Sequence, residues 1–369
     1  MMSRESQIRL APRAWSFSRG SFLALLLAWF LLVPGPALAG EPRGDATIFI
    51  YHHFGDERYP TTNVGMDQFR EQMAYLAVHD YQVIPLAELV ASLRDGKPLA
   101  PKTVVITIDD GYHTTFSEAW PVLREYGYPF TVFLYVEGLE RGYPNYLTWD
   151  QVEEMAAAGV DFQDHSYSHH RLADWPSGMS EVEYRRWIRA DLARGAAIME
   201  RRLGVKPRFM AIPYGEYNDV VLAEIREAGY EAALTQDAGS VSDDTELFLI
   251  PREPILGTEW ASLEHFRQVL ERIDLPFADM TPDFAPLREN PPARFGARLL
   301  YPERYRPDSF GIFVSELGWQ QATLEGDWVY IDNETPLTRR INRVMISARE
   351  RESGRTALRF WMLTNPPAP

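Results

Sequence analysis

The chain has 369 residues, 46% hydrophobic and 24% charged, enough apolar material for one large domain or two. Its net charge of −15 argues against a nucleic-acid backbone as partner and suits a neutral or cationic polymer. No cysteine is present, which excludes disulfides, cysteine-bound metals and a lipid-modified N-terminal cysteine, so any metal site must use histidine and carboxylates.

The first residues read as an export signal. Arg4, Arg9, Arg13 and Arg19 precede an apolar run over 22–33 that is too short for a comfortable membrane span. Pro34, Gly35 and Pro36 break it, and Ala37-Leu38-Ala39 is a small-x-small cleavage site. The expectation is a signal peptide over 1–39, no transmembrane span in the mature protein, and a periplasmic or secreted location. An uncleaved anchor is the rival reading.

Downstream, residues 47–51 form an apolar strand that ends in His52-His53. A helix over 66–79 carries Phe69, Met73 and Leu76 on one face. A short strand over 81–85 and a helix over 86–93 follow. Residues 103–108 are β-branched or apolar throughout, the composition of a buried strand, and Asp109-Asp110-Gly111 closes it. A helix over 116–126 capped by Gly127, a strand over 130–136, and a helix after Thr148 come next. A brief strand over 160–163 leads into Asp164-His165-Ser166-Tyr167-Ser168-His169-His170. The longest helix spans 181–203. Strands at 208–212, 231–235 and 247–250 alternate with helices at 218–228 and 262–273. Alternation of this kind predicts an α/β fold, a distorted (β/α)-barrel of about seven strands with its site at their carboxyl ends.

Past residue 275 the character changes. Prolines at 276, 282, 286, 291 and 292 mark a linker over 276–293, and 294–369 alternates like a small all-β domain. The barrel domain is thus expected over 40–275. Trp319, Trp328, Tyr330 and Trp361 could stack on sugars, but core packing is the commoner fate of such residues.

Two clusters carry chemistry. Adjacent carboxylates at the end of a buried strand are costly without a cation or metal, although Asp-Gly alone also fits a solvated turn. His165 and His169 are four apart, so a helical turn would place both rings on one side. The chain has eight histidines, and three fall within six residues here. Two histidines and one of the two carboxylates make a set suited to Zn²⁺ or another divalent first-row ion, with open positions for water and substrate.

Thr107-Ile108-Asp109-Asp110-Gly111 resembles the first signature of the polysaccharide deacetylases, carbohydrate esterase family 4, and His165-Ser166-Tyr167-Ser168-His169 resembles the second. The resemblance covers roughly 47–273. It implies metal-dependent removal of acetyl groups from N-acetylated sugars, with Asp109 as general base and Asp110, His165 and His169 as ligands. Zinc is the expected ion, with cobalt, nickel or iron as alternatives. Amide hydrolysis needs an activated water, a stabilised oxyanion and a proton for the amine, and a divalent metal beside a free carboxylate supplies the first two.

The chain departs from the family pattern. Where the third signature carries an arginine, Ala211-Ile212-Pro213-Tyr214-Gly215 has alanine. Arg252 is the candidate replacement partner for the base. The family's late histidine is also missing, since His265 falls inside a helix. Both departures resemble the poly-β-1,6-N-acetylglucosamine deacetylase branch, which acts on a biofilm exopolysaccharide. There a first-strand histidine serves near the site, and His52 matches it as candidate general acid. Tyr214 could supply a backbone N–H to the oxyanion or acetyl pocket. The expectation is a hydrolase of N-acetylated polysaccharide, poly-β-1,6-N-acetylglucosamine favoured. Alternatives are peptidoglycan or chitin as substrate, or a non-catalytic carbohydrate-binding protein on this scaffold. A cytosolic amidase acting on small cyclic amides conflicts with the export signal.

Overall fold

Strand β1 (Ala46–Tyr51) and strand β2 (Thr103–Ile108) are buried at every position. Continuous apolar runs of this kind belong in parallel sheets covered on both faces. In the computed structural model, which describes residues 44–365, the two pair in parallel from Ala46–Thr103 to Tyr51–Ile108. That register sets His52 next to Asp109 at the carboxyl ends. The sheet continues through β3 (Thr131–Leu134), β4 (Asp161–Asp164), β5 (Phe209–Ala211) and β6 (Ala232–Leu234). On the other flank of β1 lies β7 (Glu253–Pro254), also parallel. Leu234 bridges to Ile250, so residues 250–254 run from β6 across to β1 and draw the two ends of this seven-strand path together. The result is a distorted (β/α)-barrel.

The run 247–250, expected as the last strand, makes only that bridge; the strand that pairs with β1 is Glu253–Pro254. Two residues that include a proline carry no strand signal in sequence. Val136, expected within a strand, instead opens a one-turn helix, Val136–Glu140.

The helices pack outside the strands: α1 (Met66–Val78), α2 (Leu86–Arg94), α3 (Trp120–Tyr126), α4 (Trp149–Ala157), α5 (Glu181–Leu203), α6 (Asp219–Glu227) and α7 (Leu263–Leu270). Their starts follow local chemistry. Thr148 and Ser180 each form a reciprocal capping box with the residue three further on, Gln151 and Glu183. Gly127 and Gly204 end α3 and α5 with φ of 66° and 74°.

The C-terminal part holds two sheets. One orders β8 (Ile273–Asp274) beside β16 (Thr356–Thr364), then β15 (Ile341–Arg349), β11 (Gly311–Val314) and β12 (Gly318–Gln321). The other orders β9 (Phe277–Thr281), β10 (Arg294–Leu299), β14 (Trp328–Asp332) and β13 (Thr323–Glu325). The stretch expected to be a linker therefore begins with a paired strand, because Phe277 is buried against Trp361 at 5.7 Å between ring centres. Of the tryptophans expected in the core, Trp361 is buried, but Trp319 is 56% exposed, on a strand at the edge of its sheet. The export signal and its cleavage site lie outside the described residues. Among the described residues, no helix is long and apolar enough to cross a membrane.

Candidate active site

The barrel strands deliver the site residues to one end. Asp109 and Asp110 follow β2, His165 opens the loop after β4, and Tyr214 lies in a tight turn, Pro213–Gly215, just after β5. One ligand atom each from Asp110, His165 and His169 lies within 4.8 Å of the others. Asp110 Oδ1 is 3.3 Å from His165 Nε2 and 3.0 Å from His169 Nε2.

This donor set fits a divalent ion. His165 Nδ1 lies 2.7 Å from the Ala211 carbonyl, which can only accept, so Nδ1 carries the proton and Nε2 presents a lone pair. His165 Nε2 and Asp110 Oδ1 are both buried, 3.3 Å apart, and have no hydrogen-bond partner among the described residues. Two orphaned acceptors at one buried point are costly unless a cation lies between them.

The backbone is bent to bring this about. Among the described residues, six non-glycine positions have positive φ, and Asp110, Ser166, His169 and Tyr214 are four of them. Left-handed backbone at such residues is costly and clusters at functional sites. His165 and His169 therefore do not share a helical turn, as their spacing suggested. They converge through an irregular loop in which the Ser166 hydroxyl accepts from the His169 amide at 2.9 Å, because positive φ at Ser166 and His169 is incompatible with a right-handed helix.

Asp109 stands beside this set. Arg252 grips both its oxygens, at 2.7 and 2.9 Å, and both residues are fully buried. The same guanidinium donates to the Thr235 carbonyl at 2.9 Å and to the Thr107 hydroxyl at 3.2 Å. Arg252 reaches Asp109 from residues 250–254, which bridge the strand path. Burial raises the Asp109 carboxyl, but Arg252 and then His165 outweigh it and hold it below its ordinary range. Asp109 Oδ2 is 3.7 Å from His165 Nε2.

His52 is 8% exposed and its Nδ1 has no hydrogen-bond partner among the described residues. Burial lowers its pKa more than Asp110 and Asp109 raise it. His53 is sandwiched between Tyr59 and Tyr112 at 4.1 and 3.6 Å between ring centres. The Tyr214 ring lies 4.7 Å from that of His169. His265 sits in α7 against Trp260.

Sequence reading missed two contributors. Tyr112, just after the acids, interacts with Asp110 and Tyr146; burial first, then Asp110, raises its hydroxyl pKa far above the ordinary value. Its place in the Asp-Asp-Gly turn was the available signal. The second is the Ala211 carbonyl, a backbone atom that no side-chain pattern marks.

Residues 96–233 match the family model described as polysaccharide deacetylase. The poly-β-1,6-N-acetyl-D-glucosamine N-deacetylase of Escherichia coli (strain K12) is 28% identical over 249 residues, covering 58% of this chain and 36% of that one. The enzyme of the same name from Staphylococcus aureus (strain MRSA252) is 25% identical over 208 residues, covering 55% and 71%. The chain thus spans about a third of the length of its Escherichia coli relative. The Streptococcus pyogenes deacetylase PplD, solved with acetate, superposes with a TM-score of 0.55 at 24% identity, over 61% of this chain and 98% of that one, and shares its fold. Residues 96–233 are thus similar to the polysaccharide deacetylases, and the barrel has the fold of a solved deacetylase.

Proposed function

We propose that the chain is an exported, metal-dependent polysaccharide N-deacetylase that releases acetate from an N-acetylglucosamine polymer, with poly-β-1,6-N-acetylglucosamine the favoured substrate. One observation carries the reading: three donor groups converge on a point while a second, ionised carboxylate is held beside them by Arg252. A binding module needs no such division of labour between neighbouring acids. The names of the relatives support the polymer, and the export signal over 1–39 supports the location.

Asp110, His165 and His169 would hold one divalent ion, zinc favoured. Such an ion polarises a carbonyl and makes water a better nucleophile. Asp109 takes the proton from the attacking water, whose oxygen joins the acetyl carbon. Arg252 keeps Asp109 ionised and fixes its orientation, in the role that the third signature gives to an arginine at the position of Ala211. The Tyr214 backbone N–H serves the acetyl pocket. The carbon–nitrogen bond breaks, acetate leaves, and His52 gives a proton to the amine.

The test is acetate release from β-1,6-linked N-acetylglucosamine polymer, chitin and peptidoglycan, with and without chelator. Chelator-sensitive release is expected, largest from the β-1,6 polymer. Binding of polymer without acetate release in the metal-loaded protein would favour the non-catalytic carbohydrate-binding reading.

A further inference from the structure

The rim of the barrel and the C-terminal sheets meet at a second polar site. A cavity of about 360 Å³ lies there, lined by Arg171, Asp174 and Glu216 from the barrel and by Arg339, Arg340 and Arg343 at the start of β15. It adjoins the metal centre through one residue. The Arg171 guanidinium lies 3.9 Å over the Tyr214 ring, which in turn touches His169. Arg343 donates to the Tyr214 carbonyl at 2.9 Å.

The charges of this cavity are largely met internally. Arg171 pairs with Glu216, Arg340 with Asp174 at 2.9 Å, and Arg343 with Asp237 at 3.3 Å. The Arg339 side chain makes no ion pair among the described residues, but the Glu316 carboxylate accepts from its backbone amide at 2.7 Å. Little surplus positive charge remains to hold an anion.

Glu216 narrows the ligand class. It is 6% exposed, its Oε1 accepts from Arg171, and its Oε2 has no hydrogen-bond partner among the described residues. A buried acceptor left unpaired calls for a donor. A carboxylate or phosphate ligand has none to give, and an ammonium would meet four guanidiniums. A neutral sugar satisfies both sides, since its hydroxyls donate to Glu216 and its oxygens accept from the arginines.

We propose that this cavity binds an uncharged saccharide unit of the polymer while a neighbouring unit occupies the metal centre, so that the C-terminal sheets help to select the substrate. The inference rests on the polysaccharide reading above and adds a subsite to it.

The test uses full-length Asp109→Asn protein and calorimetric titration with neutral β-1,6- and β-1,4-linked N-acetylglucosamine oligomers, their N-deacetylated counterparts and an oligogalacturonate. Neutral oligomers should bind more tightly as they lengthen beyond the disaccharide. Arg339→Ala and Glu216→Gln, each added to this background, should weaken the longer oligomers about tenfold and leave the disaccharide unchanged. Arg339 is exposed and uses only its backbone in the fold, so that variant keeps the test clear of misfolding. Equal weakening at all lengths, no effect of either variant, no binding of any neutral oligomer, or a preference for the charged ligands would overturn the subsite. Length-dependent binding lost in both variants, with no acetate release by wild type, would sink the deacetylase reading and leave the subsite standing.

Discussion

The Asp109 carboxylate engages Arg252 with both oxygens, while Asp110 Oδ1 makes no hydrogen bond among the described residues and is turned toward two imidazoles. The division predicts separable defects. Asp109→Asn should keep its metal, measured by elemental analysis, and lose acetate release on the order of a hundredfold. Asp110→Asn and His165→Ala should lose the metal itself. Arg252 is a buried charge whose removal strands Asp109. Arg252→Ala should lower unfolding free energy by roughly 3–5 kcal/mol, read by denaturant titration, as expected for breaking a buried pair. A loss of activity with unchanged stability would show that the pair is less buried in solution than in the structure. If His52 is the acid, turnover should be bell-shaped in pH, with its alkaline limb removed in His52→Ala. Because burial lowers the His52 pKa, that limb should fall on the acid side of the ordinary value of 6.5.

Strand register and two turns set the geometry in which those residues act. β1 and β2 end together, which puts His52 and Asp109 on the same rim. The turn after β5 has φ of 60° at Tyr214 and 63° at Gly215. A Cβ on Gly215 would come within 2.2 Å of the Gln236 backbone nitrogen, in the segment just after β6. Gly215→Ala should therefore cost roughly 2–4 kcal/mol through backbone strain and overpacking, and should displace Tyr214 from His169. A thermal melt within a degree or so of wild type would contradict that packing. Gly96, also at positive φ but with open space around it, is the control: Gly96→Ala should suffer the strain alone.

Across the whole molecule, the barrel and the C-terminal sheets share interior. Met362 on β16 shares a buried cluster with Tyr217, Val221 and Leu222, and its sulfur lies 3.3 Å from the Tyr217 amide. Arg359 on β16 holds Asp274, whose amide donates to Asp45, next to the start of β1. Removal of residues beyond 293 should thus lower the stability of the barrel as well as polymer binding, visible as an earlier melt of the truncated protein. Asp45 adds a pH dependence. Burial first, and the nearby Asp274 charge, raise its pKa from 3.8 to about 7, against the favourable Asp274 amide. The folded state therefore holds this proton more tightly than the unfolded chain. That stabilisation is complete below about pH 4 and is lost as pH rises through about 7. Asp45→Asn should match wild type near pH 4 and exceed it in stability near pH 8; parallel stability curves for the two proteins would refute the assignment.

The sequence by itself determined the parallel α/β barrel, since buried strands and amphipathic helices announce themselves through local composition. It also marked the two clusters, because Asp109-Asp110-Gly111 and the histidine run are contiguous. It offered Arg252 only as a candidate cation after the expected last strand, and the tertiary structure put that guanidinium on Asp109 from 143 residues away in sequence. The structure alone decided that His165 and His169 meet through a left-handed loop, that Ala211 lends its carbonyl, and that the start of β15 reaches the barrel rim. These depend on which backbone atoms and distant segments come to share a point, and no local periodicity encodes that. Trp319 and Trp361 carry the same residue type on strands of one sheet, and only burial separates the exposed ring from the core one.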